Sequence, residues 1–63
     1  MLANRNFMIE LIWCFEKIEK SVKVDENYIF PSYGDKVNEF NEFLKVVDSE
    51  NRNGKMYIKL ERF

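Results

Sequence analysis

Phe7-Met8-Ile9-Glu10-Leu11-Ile12-Trp13-Cys14-Phe15 is a run in which Glu10 is the only charged side chain. Burial of apolar surface yields roughly 25 cal/mol per Å², so this run must lie at the centre of whatever core the chain builds. Two periodicities compete for it. At 100° per residue, Phe7, Met8, Leu11, Ile12, Cys14, Phe15, Ile18 and Val22 fall within an arc of about 160°. Glu16 with Lys20 and Glu19 with Lys23 then make favourable i,i+4 pairs. That helix, however, sets Ile9 and Trp13 together on its charged face.

At a period of two, Phe7, Ile9, Leu11, Trp13 and Phe15 share one face, and Met8, Glu10, Ile12, Cys14 and Glu16 the other. Val22 and Val24 then start a second strand that runs toward Tyr28-Ile29-Phe30. The weak point is the connection, because Glu16 to Ser21 holds none of the Gly, Asn, Asp or Pro residues of a standard hairpin turn.

The far end of the chain tips the balance. Met56, Ile58 and Leu60 alternate with Tyr57, Lys59 and Glu61 behind the turn pair Asn53-Gly54, which reads as a strand. A strand needs a partner of comparable length, and a lone two-stranded ribbon is marginal. The hairpin is therefore the favoured reading of the first two segments.

Between these ends, Phe30-Pro31 imposes an extended approach. Ser32 and Asp35 stand at capping-box spacing. Val37, Phe40, Phe43, Leu44 and Val47 then recur at helical spacing, which predicts an amphipathic helix over residues 33–47. Asp48 to Gly54 is polar and reads as a loop; its resemblance in composition to a calcium loop fails at the first and twelfth ligand positions, Ser49 and Leu60. The expected architecture is one small α+β domain over residues 1–63, in the order ββαβ, with the helix packed on one sheet face. The alternative, αβαβ, has the first segment helical. Met1 to Asn6 reads as a polar lead-in.

Composition removes several function classes. The chain has 63 residues, no histidine and one cysteine, so neither an intramolecular disulfide nor the usual nucleophile–base pair can be assembled. No catalytic residue, no metal site and no cofactor is assigned. A small-molecule substrate is not expected either, since paired carboxylates would need an enclosing pocket that shifts one pKa. Ten basic residues against eleven acidic ones leave no polyanion-binding footprint. The apolar run is shorter than the ~18 residues that span a bilayer, and Glu16-Lys17 follows it where a signal cleavage site would lie. A cytoplasmic chain with no membrane association is the expectation.

Phe, Tyr, Met, Ile, Asn and Lys together form about half the chain, the skew of an AT-rich gene, which points to a bacteriophage or mobile element. Six Phe, three Tyr and one Trp exceed what so small a core can hide. With Trp13, Phe15, Phe40 and Phe43 assigned inward, Tyr28, Tyr33, Tyr57 and Phe63 remain as contact residues for a partner. The expected helix adds an acidic stripe of Asp35, Glu39 and Glu42. The expected function is a non-enzymatic protein-binding module, an inhibitor of a host defence or nucleic-acid-processing protein. The alternative is a nucleic-acid-binding accessory protein that uses sheet aromatics with Lys55, Lys59 and Arg62. If one helix covers one sheet face, Met8, Ile12, Cys14 and Tyr57 on the other need a lid, and a homodimer supplies it.

Overall fold

A computed structural model describes residues 8–63; the expected lead-in over Met1–Asn6, and Phe7, lie outside the described residues. Five strands follow one another: β1 (Met8–Phe15), β2 (Ile18–Asp25), β3 (Lys36–Glu39), β4 (Glu42–Arg52) and β5 (Lys55–Glu61). They form one mixed sheet in the order β2-β1-β5-β4-β3, curled into a half-barrel. The described residues contain no helix, so the α+β expectation is corrected to all-β, in its ββαβ and its αβαβ form alike.

The apolar run is β1, and its alternation decides where its side chains go. Leu11, Trp13 and Phe15 turn inward to a core completed by Leu44, Val46, Ile58 and Leu60. The β1–β2 hairpin closes Phe15 on Ile18 across the two-residue loop Glu16-Lys17. Glu16 supplies the positive φ (56°) that such a loop needs, although glycine or asparagine would adopt it with less strain. On its other side β1 pairs in parallel with β5, Trp13 opposite Ile58. The last strand therefore occupies the middle of the sheet.

The expected helix over 33–47 is replaced by a turn and the β3–β4 hairpin. Val37 and Leu44 are seven apart, which is two helical turns but also a directly opposed pair across a hairpin. Phe40 and Asn41 form the tip, both at positive φ (57° and 63°), the requirement of a type I′ turn. Phenylalanine is a costly residue there, and its ring is compensated by contact with Phe15 at 5.6 Å between centroids. Phe43, expected in the core, instead points outward and is 59% exposed.

The capping-box spacing has a similar fate. Ser32 N–H donates to Asp35 Oδ2 (2.7 Å) and Asp35 N–H donates to the Ser32 carbonyl (2.9 Å). These bonds close a turn around Gly34 (φ 90°) rather than starting a helix. Next, β4 runs through the expected loop as far as Arg52, and only Asn53-Gly54 turns. A bulge leaves Val47 unpaired between Val46 and Asp48. Bulges bend a strand, and this one brings the β3–β4 hairpin over the core: Lys20 of edge strand β2 meets Glu39 of edge strand β3 at 2.9 Å.

Leu44→Ala is expected to cost about 2–5 kcal/mol, comparable with the whole stability of a domain this small. Phe43→Ala is expected to stay within about 0.5 kcal/mol, as exposed substitutions do. Chemical denaturation of both variants checks this, and equal large losses would restore the helical assignment, in which the two residues share a face.

Candidate functional site

The acidic stripe is not a single surface. Asp35 belongs to the turn just described, while Glu39 and Glu42 are opposite one another across the β3–β4 hairpin. Two carboxylates in that position repel, and each is neutralised by a different cation. Lys20 serves Glu39, and Arg62 holds Glu42 at 3.1 Å while its other arm reaches Glu16 at 2.8 Å. The Arg62 guanidinium also lies 4.9 Å from the centre of the Phe15 ring, and its two carboxylate partners hold its pKa above the ordinary value. Arg62 thus closes the upper end of the core, and its charge is spent within the chain.

The outer face of the sheet is mostly polar. At its middle, Ile12 is buried, and Cys14 and Tyr57 are half-buried, whereas Met8 at the start of β1 is exposed. The four residues expected under a dimer lid therefore differ in what they offer: Met8 is open, and the other three are largely covered by their neighbours on the sheet. Tyr57 lies under Arg52, whose guanidinium is 4.2 Å from the ring centre. Beside them an open groove of about 650 Å³ is lined by Cys14, Glu19, Glu50, Arg52, Tyr57 and Lys59 among others. Both signs of charge line it. Among the described residues no group of three His, Cys, Asp or Glu side chains is placed to hold a metal ion.

Burial pushes the Cys14 thiol up, with Glu19 adding to the effect. Such a thiol is a poor nucleophile near neutral pH. The Glu10 carboxyl is held below its usual range, first by the Ser21 hydroxyl that donates to it and then by Lys55, 3.7 Å away.

The remaining aromatic candidates are where a partner could reach them. Tyr33 at the turn before β3 is 80% exposed, Phe63 is 70% exposed, and Tyr28 packs edge-on against Phe30 while keeping about a third of its surface open. The structure adds a residue that the helical assignment had hidden. Phe43, two residues from Lys45 on the same strand face, has the Lys36 ammonium 5.2 Å from its ring centre. Lys45 in turn lies 5.9 Å from the centre of the Phe63 ring. Lys36 and Lys45 face each other across β3 and β4, and neither has an ion-pair partner among the described residues. Ile29, 88% exposed, was likewise not singled out. Its only signal in the sequence is its place beside Tyr28 in a stretch between strands.

Because the Glu10 pKa is lowered on folding, its contribution to stability is full above the unfolded glutamate value of about 4.3. It is lost as pH falls through the lower folded-state value. Glu10→Gln is expected to reduce the acid-side slope of stability against pH, as read from denaturation midpoints, and an unchanged slope would show that the Ser21 and Lys55 contacts do not act on folding. Cys14 is expected to react with iodoacetamide at pH 8 more slowly in the folded chain than in denaturant.

A scan against protein-family models, a search of curated proteins and a search of solved structures each returned no match to this chain.

Proposed function

We propose that the chain is a non-enzymatic protein-binding module, encoded by a phage or mobile element, that inhibits a host defence or nucleic-acid-processing protein by covering part of its surface. The observation that carries the reading is the patch formed by Phe43 and Phe63 with Lys36 and Lys45. Two large rings stand exposed, Phe43 on β4 and Phe63 just beyond β5, beside two facing lysines that have no ion-pair partner among the described residues, with Glu61 opposite Lys45 on the β5 side. Like charges directly opposite destabilise a sheet, and exposed aromatic side chains lose solvation-driven free energy. A surface that combines both is well suited to a partner that supplies apolar contact at its centre and polar contact at its rim. Tyr33 and Ile29 extend the exposed apolar surface along the segment between β2 and β3. The skewed composition supports the phage or mobile-element origin.

The nucleic-acid alternative has less support. Of the three cations on which it relied, Lys55 is engaged by Glu10 and Arg62 by Glu16 and Glu42, which leaves Lys59 alone.

Affinity capture from lysate with the wild-type chain is expected to retain a specific protein in stoichiometric amount. The Phe43→Ala/Phe63→Ala double variant, with an unchanged circular dichroism spectrum, is expected to lose it. Retention by the double variant would remove the patch from the reading. A gel shift on single-stranded nucleic acid that collapses as salt rises would favour the alternative instead.

A further inference from the structure

β2 is a long edge strand, and its sequence is complementary to itself. Its eight residues, Ile18–Asp25, pair with β1 on one side only. The pair that flanks a two-residue loop exchanges backbone hydrogen bonds, and such pairs recur at every second residue. Ile18, Lys20, Val22 and Val24 therefore bond to β1. The N–H and C=O groups of Glu19, Ser21 and Lys23 point away from the sheet, with no partner among the described residues. Edge strands of this length normally carry a bulge, a proline or a cover; β2 carries neither bulge nor proline, and the other edge reaches it only through the Lys20–Glu39 ion pair, whose lysine lies on the inner face.

We propose that β2 pairs antiparallel with β2 of a second copy, with Ser21 on the two-fold axis. In that register Glu19 faces the second copy's Lys23 and Ile18 faces its Val24, while Lys17 of the loop lies beyond the ladder at the end where the second copy's Asp25 stands. By symmetry each of these contacts occurs twice. The charges so placed are free to take part: Lys17, Glu19, Lys23 and Asp25 have no ion-pair partner among the described residues, while the Asp25 carboxylate also accepts the Asn27 N–H at 3.0 Å. Ile18, 52% exposed, is covered by the pairing with Val24 on the inner face.

Other registers are excluded by the same residues. Moving by two in one direction sets Lys17 against Lys23 and Lys20 against itself; moving by two in the other sets Glu19 against Asp25. A one-residue slip exchanges the two faces of the strand and brings inward-bonded backbone groups to the interface. The outcome is a continuous sheet with five strands from each copy. This association uses the backbone edge of β2 and none of the Phe43, Phe63, Lys36 or Lys45 side chains, and stands independently of the proposed function.

Sedimentation velocity of the intact chain across the micromolar to millimolar range is expected to show a monomer–dimer equilibrium. Either Glu19→Lys or Lys23→Glu alone creates two repulsive pairs and is expected to raise the dissociation constant about ten- to a hundredfold. Glu19→Lys/Lys23→Glu in one chain restores the complementarity and is expected to recover the dimer. An equimolar mixture of the two single variants is expected to form a heterodimer. Hydrogen exchange supplies a second readout: the amides of Glu19, Ser21 and Lys23 gain protection as concentration rises, whereas those of Lys20 and Val22 are protected throughout. A monomer at every concentration, single reversals without effect on association, or no concentration-dependent protection of those three amides would each overturn the proposal.

Discussion

Everything in this structure depends on the side-by-side placement of β1 and β5. Leu11, Trp13 and Phe15 from one, and Ile58 and Leu60 from the other, turn to the same side of the sheet and make most of the fully enclosed interior. Parallel neighbours cannot be joined by a tight turn. The chain between them must travel out to both edges and return. β2 is the excursion to one edge, the β3–β4 hairpin the excursion to the other, and the ion pair between Lys20 and Glu39 is where the two edges meet. Among the described residues no second layer covers the sheet, and the sheet curls on itself to keep water from its interior.

That curling explains why the residues nearest the bend are the least regular. Val47 is extruded from the ladder, and Phe40 occupies a left-handed conformation held by its contact with Phe15. Arg62 lies across the end of the same core with two carboxylates around it. Each device is individually small. Exposed ion pairs contribute at most about 1 kcal/mol, and Phe40 in a turn carries a strain of about 1–3 kcal/mol. They matter because together they hold the β3–β4 hairpin, with its Leu44, against Leu11 and Trp13 of β1, which without it would face solvent.

The two outer thirds of the architecture were legible in the sequence and the middle was not. Alternation over Met56–Leu60 behind Asn53-Gly54, a pair that a type I′ turn selects, marked β5, and the need of β5 for a partner favoured strands over a helix in the first segment. The second strand, however, was expected to run from Val22 and Val24 toward Tyr28-Ile29-Phe30, whereas β2 is Ile18–Asp25 and pairs from the first residue after the loop. The connection at Glu16-Lys17 lacks the usual turn residues, and the partner of its Glu16 side chain, Arg62, comes from far along the chain, where no local reading can see it. The middle misleads for a geometric reason. A seven-residue separation is shared by two turns of a helix and by a hairpin pair around a two-residue tip, and Val37 with Leu44 satisfies both. Ser32 and Asp35 make the bond that a helix cap would make, yet they make it in a turn. Assigning a helix there also concealed Phe43, whose neighbour Leu44 is buried while Phe43 is not, a distinction that only a period of two can express. Tyr33 and Phe63, by contrast, were recognisable as surface residues because nothing in the sequence offered them a place inside.

The adjacency of the first and last strands also has a bearing on how the molecule comes into being. Trp13 of β1 lies opposite Ile58 of β5 in the parallel pair, so the central contact of the core closes a loop of about 45 residues, at a cost in chain entropy that grows with loop length. The local neighbour of β1 is β2, and half of its residues are charged. Pairing between residues so far apart slows folding, and the interior is complete only with β5 in place between β1 and β4.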